Sequence, residues 1–209
     1  MKKLIGTFAI MLALSATSPA FAATNPYTDL PTDHWAYGSV IALSDAGIVT
    51  PYADGTFRGN QKASRFDMAA VFAALAERAN LPRDAALMQP YTDLDDAALY
   101  RSSVEIVTRC GIMQGYGNKT FRGDNFITRL DLATMIYKYE HAFGMMENVD
   151  MGAPLFTDVP PDHWAYTPVM FAARNNIMSG YADGTFRGSQ TITRYEVALI
   201  IAKLPHLAL

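Results

Sequence analysis

The octapeptide Tyr-Ala-Asp-Gly-Thr-Phe-Arg-Gly occupies residues 52–59 and returns without a change at residues 181–188. A third version, Tyr-Gly-Asn-Lys-Thr-Phe-Arg-Gly, occupies residues 116–123 and keeps the Tyr and the closing Thr-Phe-Arg-Gly. The three versions lie 64 and then 65 positions apart. A fixed period of this length is typical of repeat proteins, in which each copy is one supersecondary unit.

Three further motifs keep the same register around the octapeptide. A Tyr-Thr-Asp-Leu segment or a close variant lies at 27–30, 91–94 and 156–159. A [ST]-R-x-[DE] segment lies at 64–67, 128–131 and 193–196. Asp-His-Trp-Ala-Tyr occurs at 33–37 and 162–166, whereas the middle copy has Ala98 and Leu99 in place of His and Trp. Several motifs in one register indicate three copies of one unit.

Each copy is predicted to be a helix, a loop and a second helix. The second helix begins with a capping box. In this motif a Ser or Thr hydroxyl accepts a hydrogen bond from the backbone N–H three residues later, and the acid at that position accepts one from the backbone N–H of the Ser or Thr. Gly47, Gly111 and Asn176 tolerate a left-handed C-cap and end the first helix, and Thr167-Pro168 predicts its start in the third copy. No segment alternates like a strand.

The predicted fold class is therefore mainly α, with three helix pairs. A pair of such short helices cannot bury its apolar face alone, so the copies are expected to pack on one another. The Asp-Gly pairs of the loops predict tight turns. The Phe that follows each turn is expected to be a core side chain, namely Phe57, Phe121 and Phe186.

The first residues predict an export signal rather than part of the fold. Two lysines precede an apolar run over residues 4–14, and the segment closes on Ala-Phe-Ala, which is typical of a signal peptide cleaved after Ala22. The predicted divisions are the signal peptide at 1–22, the first copy at 23–78, the second copy with its linker at 79–143 and the third with its linker at 144–209. No later segment is long and apolar enough for a transmembrane helix.

Composition excludes several classes of protein. The chain has 209 residues, with 17 basic and 20 acidic side chains and a net charge of −3, which disfavours a basic nucleic-acid-binding protein. One cysteine excludes an internal disulfide framework and a cysteine-based zinc cluster. Cys110 is either a reactive thiol or, as we favour, a small buried side chain near a helix end. The sequence predicts no cofactor and no metal.

The arginine of the capping motif is the best candidate for a binding residue. Arg65, Arg129 and Arg194 fall at the first position of the predicted helix, where a cation faces the positive end of the macrodipole. Stability alone would favour another residue there. Two explanations remain open: a salt bridge to an acid, for example of an adjacent copy, or an anion site made by a guanidinium and free helix N–H groups.

Other repeated side chains also allow two explanations. Trp35 and Trp164 are either sugar-stacking surfaces or, more commonly for this residue type, plugs of the core or between copies. Asp54 and Asp183 suggest calcium only weakly, and a turn explains them better. His34 and His163 lack the spacing of a metal pair. The loop arginines are either solvated charges or phosphate contacts (Arg58, Arg122 and Arg187).

Together these motifs resemble the S-layer homology (SLH) domain family, whose unit opens on F-x-D-V, passes His-Trp-Ala and a G-Y-x-D-G-T-F loop, and closes on T-R-A-E. The resemblance covers most of the chain. It implies three repeats in a pseudo-threefold bundle, with grooves between neighbouring copies. It also implies that Arg65, Arg129 and Arg194 contact an anionic group, with Trp35, Trp164, Asp54 and Asp183 as further groove residues. The middle copy has Asn118-Lys119 in place of Asp-Gly and no Trp, which predicts a weaker or purely structural groove there.

The resemblance further implies a noncatalytic module that binds the cell wall. The expected ligand is a secondary cell-wall polysaccharide, pyruvylated in many bacteria, or a peptidoglycan that carries polyamines. The expected location is the cell surface, the cell wall or the periplasmic face of an outer membrane. Family members usually carry a passenger, and the alternatives open here are a stand-alone binder, a separate passenger protein, self-association or a reading frame that is cut short. The alternatives are a self-associating surface-layer subunit and, less favoured because no catalytic motif is present, a wall hydrolase.

Overall fold

A computed structural model describes residues 25–87, 90–94, 98–144, 152–205 and 207 of the chain. The predicted signal peptide at 1–22 lies outside the described residues. Six α-helices form within the described ranges, and none of these residues forms a strand. The helices are α1 (Tyr37–Asp45), α2 (Arg65–Arg78), α3 (Ala98–Arg109), α4 (Arg129–Ala142), α5 (Tyr166–Arg174) and α6 (Arg194–Ile201). The prediction of a mainly α protein with three helix pairs is confirmed.

Local sequence explains how the second helix of each copy begins. All three capping boxes are present: the N-cap hydroxyl accepts from the N3 backbone, and the N3 carboxylate accepts from the N-cap backbone. For Ser64 and Asp67 these bonds measure 3.1 and 2.7 Å. The boxes satisfy backbone donors that the first helical turn leaves without an intrahelical partner.

The first helix of each copy ends as predicted but begins differently. Gly47, Gly111 and Asn176 have φ of 72°, 71° and 57°, which is the left-handed conformation of a C-cap. The predicted start at Thr167-Pro168 is wrong, because α5 begins at Tyr166. Its first turn is set by the His-Trp turn before it: the Nδ1 of His163 accepts from the Ala165 N–H at 3.1 Å. His34 does the same in the first copy.

The three copies meet in a closed ring of backbone hydrogen bonds. The segment before each second helix contributes one buried residue: Ala63, Ile127 and Ile192. Ala63 donates to Ile192, Ile192 donates to Ile127, and Ile127 donates to Ala63, over 2.9, 3.3 and 2.9 Å. Because each copy uses the same bond toward its neighbour, the ring is a pseudo-threefold arrangement that closes on itself.

Helix packing follows the same cyclic order. Helix α2 packs on α3, α4 packs on α5, and α6 returns to α1, so the second helix of each copy lies against the first helix of the next. The predicted core side chains Phe57, Phe121 and Phe186 are fully buried and belong to one continuous hydrophobic cluster. This cluster lies inside the ring of copies, so the loops and helix starts are left at the junctions between them.

A glycine permits the close approach at each junction. The residue after Arg194 is Tyr195, whose N–H donates to the Gly59 carbonyl at 2.9 Å. A Cβ on Gly59 would lie 2.1 Å from the Tyr195 ring, far inside van der Waals contact. The same approach recurs at Gly123 against Phe66 and at Gly188 against Leu130. Within the described residues, no helix is both long and apolar enough to cross a membrane.

Candidate functional site

The candidate site exists three times, once at each junction between copies. Each junction combines the octapeptide loop of one copy with the helix-start arginine of the copy before it in the ring. We name the junctions by the copy that supplies the loop. Arg194 therefore belongs to the first-copy junction, Arg65 to the second-copy junction and Arg129 to the third-copy junction.

Every helix-start arginine binds backbone carbonyls of the neighbouring copy. The Nε atoms of Arg65, Arg129 and Arg194 donate to the carbonyls of Phe121, Phe186 and Phe57 over 2.9, 3.0 and 2.9 Å. A second bond runs from the Nη2 of Arg65 to Gln114 and from the Nη2 of Arg129 to Ser179, over 2.8 and 2.6 Å. Burial lowers the pKa of Arg129, although a guanidinium stays charged at neutral pH. The arginines therefore hold adjacent copies together.

Arg194 differs from the other two arginines because it takes an acid in place of the second carbonyl. Its Nη1 donates to the Oδ1 of Asp67, the N3 acid of α2, and both side chains are 12% exposed. The Tyr52 hydroxyl donates to the same oxygen at 3.4 Å. Of the two explanations open for the arginines, a salt bridge to an adjacent copy therefore holds for Arg194.

The helix starts themselves are not free to bind an anion. The N–H groups of Arg65, Arg129 and Arg194 donate to Asn125, Gln190 and Gln61 of the next copy, over 2.9, 2.9 and 3.0 Å. The backbone N–H of the second helical residue donates to the carbonyl of the glycine that closes the octapeptide. The N–H of the third helical residue donates to the hydroxyl of the N-cap residue. The expected contribution of free helix N–H groups is therefore wrong, because neighbouring copies already satisfy them. At the helix starts, the guanidinium side chains remain as donors.

One tyrosine ring contacts two guanidiniums at each junction. Tyr116 lies 4.2 Å from Arg122 and 5.3 Å from Arg65, measured from the ring centroid to each Cζ. Tyr181 lies 4.0 Å from Arg187 and 5.3 Å from Arg129. Tyr52 lies 4.0 Å from Arg58 and 4.9 Å from Arg194. The π system of each tyrosine attracts the guanidiniums, so the loop arginine and the helix-start arginine of a junction share one ring.

The loop acids are bound within their own turn. The Oδ1 of Asp54 accepts from the Thr56 N–H and hydroxyl, at 3.0 and 2.5 Å, while its Oδ2 pairs with Arg58 at 2.8 Å. Asp183 repeats these contacts with Thr185 and Arg187. The threonine hydrogen bonds, followed by the arginine contact, lower the pKa of each carboxyl to about 2. A turn therefore accounts for both acids, as the sequence favoured.

The loop arginine of each copy adopts a backbone conformation that is uncommon outside glycine. Arg58, Arg122 and Arg187 have φ of 55°, 54° and 53°. The Thr-Asp motif holds this turn: Asp29 accepts from the Phe57 and Arg58 N–H groups at 2.6 and 2.8 Å. Asp93 and Asp158 do the same in the other copies. This clamp fixes the Phe carbonyl that receives the helix-start arginine.

Both tryptophans lie on the surface. Trp35 is 58% exposed and Trp164 is 66% exposed, so neither is a core side chain. Trp35 nevertheless packs between copies, on a residue of the third copy. Trp35 contacts the Tyr195 ring with 5.8 Å between centroids, and Tyr195 also packs on Phe57 of the loop. Trp35 therefore borders the first-copy junction. Leu99 stands at the matching position of the second copy and is also exposed.

The structure brings several of the predicted residues together across copies. The first-copy junction contains Arg194, Asp54 and Trp35, which are linked through Tyr52, Arg58 and Tyr195. The third-copy junction contains Arg129 and Asp183, which are linked through Tyr181 and Arg187. Among the described contacts, Trp164 packs on His163, which does not place it beside a predicted arginine. A groove of ≈ 450 Å³ at the first-copy junction is lined by residues of all three copies, including Tyr52, Tyr100 and Arg194. Sequence reasoning missed Asp67 as the partner of Arg194 and the loop tyrosines as ring platforms. In every copy the loop tyrosine lies 13 positions before the helix-start arginine, which indicated a linked role for the two residues. Each tyrosine nevertheless contacts the helix-start arginine of another copy.

The described residues hold no cluster of His, Cys, Asp and Glu that could bind a metal ion. Cys110 lies half-buried directly after α3, and burial raises the pKa of its thiol. A raised pKa disfavours the nucleophilic thiolate. The junction residues offer charge-assisted hydrogen bonding by guanidiniums and stacking on exposed rings.

Comparison with known proteins gives the same threefold division. The family profile described as S-layer homology domain matches residues 26–69, 90–133 and 155–198. The cellulosome-anchoring protein of Acetivibrio thermocellus is 30% identical over 152 residues, which are 71% of this chain and 33% of that protein. The S-layer protein EA1 of Bacillus anthracis is 26% identical over 203 residues, which are 96% of this chain and 22% of that protein.

An outer-membrane relative matches a shorter segment. The outer membrane protein SlpA of Deinococcus radiodurans is 51% identical over 51 residues, which are 24% of this chain and 4% of that protein. The chain therefore spans 33% or less of the length of each of these relatives.

Proposed function

The chain belongs to the S-layer homology domain family, and from that premise we propose that it is a noncatalytic module that anchors to the cell wall. The ligand is a cell-wall polysaccharide or a modified peptidoglycan, bound at the junctions between copies. The names of two relatives, a cellulosome-anchoring protein and an S-layer protein, support a surface role. The predicted signal peptide supports export, to the cell surface, the cell wall or the periplasmic face of an outer membrane.

One observation carries the proposal for the binding mechanism. At each junction the Nε of a partly buried arginine donates to a backbone carbonyl of the next copy. The tyrosine ring that this arginine contacts also contacts a second, more exposed arginine. A guanidinium that is already oriented loses little rotamer entropy when it binds a carboxylate or phosphate. The exposed Trp35 and Trp164 rings supply surfaces on which a sugar ring can stack. Asp54 and Asp183 act indirectly in this proposal, since they position Arg58 and Arg187.

The test is retention on purified wall sacculi. Wild type is expected to sediment with sacculi, and the Trp35→Ala/Trp164→Ala variant is expected to sediment several-fold less. Because both rings are largely exposed, this variant is expected to fold like wild type, which circular dichroism and the melting temperature check. Failure of wild type to sediment would refute the function, and equal sedimentation of the two proteins would refute the role of the tryptophans.

The arginines need a more careful variant, because they also join the copies. Changing Arg65, Arg129 and Arg194 together to Ala removes carbonyl bonds across all three junctions, and loss of folding would hide loss of binding. Single Arg→Lys variants keep the charge but lose the two-pronged geometry of the guanidinium. They are therefore expected to weaken retention on sacculi while the melting temperature changes little. A variant that binds like wild type would exclude its arginine from the site.

A second candidate is a surface-layer subunit that self-associates. The name of the S-layer relative EA1, which the chain matches over 96% of its own length, favours this alternative. Light scattering of the purified protein distinguishes them: a monomer at all concentrations supports the anchoring module, and growth into large assemblies supports the subunit.

A further inference from the structure

The three junctions differ in charge although they are built alike. All three junctions share a clamping acid on the loop backbone (Asp29, Asp93 and Asp158). Charge differs at five other matching positions: two in the tight turn, the loop arginine, the helix-start arginine and the N3 acid. At the first-copy junction these positions hold two acids and two arginines (Asp54, Gly55, Arg58, Arg194 and Asp67). The third-copy junction repeats this balance (Asp183, Gly184, Arg187, Arg129 and Glu196). At the second-copy junction they hold three cations and one acid (Asn118, Lys119, Arg122, Arg65 and Asp131). Asp124, exposed directly after that loop, adds an acid that forms no ion pair within the described residues.

The contacts of the second-copy junction leave its cations without carboxylate partners. Arg58 and Arg187 pair with their turn acids at 2.8 Å, and Arg194 pairs with Asp67. Within the described ranges, Arg65 and Arg122 form no ion pair. Arg65 binds carbonyls, and the Nε of Arg122 binds the Thr120 hydroxyl at 3.3 Å.

The two arginines are nevertheless held close together. Both guanidiniums contact the Tyr116 ring, and the Arg122 backbone is clamped by Asp93 at 2.7 Å. The two Cζ atoms lie 4.2 and 5.3 Å from one ring centroid. Their separation is therefore at most about 9.5 Å, which is similar to the distance over which physiological salt screens charge, and the two cations repel each other. Lys119 is exposed in the same turn and adds a third positive charge. An anion bound between them would remove this repulsion and accept charge-assisted hydrogen bonds from two planar forks.

We propose that the second-copy junction is the principal anion-binding site of this protein, with Arg65, Arg122 and Lys119 as its binding cations. This inference rests on the proposed function and names the ligand class: a carboxylate or phosphate group borne by a wall polymer. It reverses the expectation that Asn118-Lys119 weakens the second groove. Asn118 removes the acid that would neutralise Arg122, and Lys119 adds charge where the other copies have glycine. Because Leu99 replaces Trp there, recognition at this junction depends on charge more than on stacking.

The decisive variant converts this turn to that of the other copies. Asn118→Asp/Lys119→Gly restores the Asp-Gly pair, so that the new carboxylate would neutralise Arg122 as Asp54 neutralises Arg58. The change suits the fold, because Asn118 already accepts from the Thr120 hydroxyl at 2.6 Å and Lys119 has a φ of 61° that glycine adopts readily. The reverse variant, Asp183→Asn/Gly184→Lys, is expected to create a second strong site. A Cβ at Gly184 meets nothing within 4 Å, but its φ of 78° is strained for lysine, as the φ of 61° is at Lys119, so the melting temperature of this variant is measured with its binding.

Binding of the full chain is measured by titration calorimetry with two probes. Polygalacturonate carries carboxylates and polyphosphate carries phosphates, so the tighter probe identifies the anion. The Asn118→Asp/Lys119→Gly variant is expected to bind the preferred probe about tenfold more weakly or worse. Arg122→Gln is expected to lose more affinity than Arg187→Gln. Arg83→Gln, which removes an exposed cation paired with Glu77, controls for net charge.

The outcomes separate this inference from the proposed function. If wild type sediments with sacculi but binds neither polymer, or if Arg122→Gln and Arg187→Gln lose equal affinity, this inference is overturned and the anchoring function stands. If wild type binds a polymer with the expected ranking of variants but does not sediment with sacculi, the site stands and the anchoring function fails. Equal binding by wild type and Asn118→Asp/Lys119→Gly overturns the inference in every case.

Discussion

At the scale of single residues, Asp67 and Asp131 offer a matched pair. Both carboxylates accept from the N-cap backbone, at 2.7 and 2.8 Å, and from the N-cap hydroxyl, at 2.8 and 2.7 Å. Of the two, Asp67 also receives Arg194 of another copy. The two residues therefore share the capping role and differ in the ion pair.

We predict that Asp67→Ala lowers the free energy of unfolding by about 2 kcal/mol more than Asp131→Ala, because it leaves a largely buried guanidinium without its partner. Urea denaturation followed by circular dichroism measures both variants. Equal losses would mean that the ion pair between the third and first copies adds nothing to the capping box.

The loop acids predict how stability depends on pH. The pKa of Asp54 and of Asp183 falls from an ordinary value of 3.8 to about 2 in the folded protein. A depressed folded pKa contributes stability above the unfolded pKa, and that contribution is lost as the pH falls through the folded pKa. We predict a loss of stability between about pH 4 and pH 2, smaller in the Asp54→Asn/Asp183→Asn variant. Melting temperatures across this range test it, and identical slopes for the two proteins would contradict it.

At the scale of elements, the junction of each second helix with the next loop depends on glycine. A Cβ at Gly123 would lie 2.1 Å from the Phe66 ring, whereas a Cβ at Gly117 in the same loop meets nothing within 4 Å. We predict that Gly123→Ala lowers the free energy of unfolding by about 1–3 kcal/mol, since the ring and α2 must shift. Gly117→Ala is expected to change it by about 0.5 kcal/mol or less. Chemical denaturation of the two variants is the measurement, and similar losses would argue against close packing at this junction.

At the scale of the whole molecule, the closed ring predicts cooperative unfolding. Each copy satisfies backbone donors of its neighbour through Ala63, Ile127 and Ile192, so no copy can leave without exposing polar groups of both others. The two tryptophans lie in different copies. Single-tryptophan variants, Trp164→Phe and Trp35→Phe, therefore report on the first and third copies separately.

We predict that fluorescence and circular dichroism give the same denaturation midpoint within each variant. We also predict that the fluorescence midpoint is the same whether the remaining tryptophan lies in the first or the third copy. This is the behaviour of a two-state domain. A fluorescence midpoint that differs from the circular dichroism midpoint would show that one copy unfolds on its own, contrary to a closed ring.

The sequence by itself determined the three copies, their helix pairs, the ends of the first helices and the starts of the second helices. These features depend on contacts within a few residues. Ser64 and Asp67 form a cap wherever the helix lies. Gly47 and Gly111 accept a left-handed backbone because glycine has no Cβ, and Asn176 because asparagine tolerates that conformation. Phe57 could be placed in the core because its position recurs between polar turn residues.

Only the tertiary structure decided which groups meet at the junctions. Arg65 and Arg129 bind carbonyls 56 and 57 residues away, and Arg194 binds one 137 residues away across the closed ring. No local pattern specifies such partners, because the order in which copies pack depends on how three apolar faces close on one core. The same closure satisfies the helix N–H groups and leaves Trp35 and Trp164 exposed. It also brings Arg65 and Arg122 to one ring, where neither forms an ion pair within the residues that the structure describes.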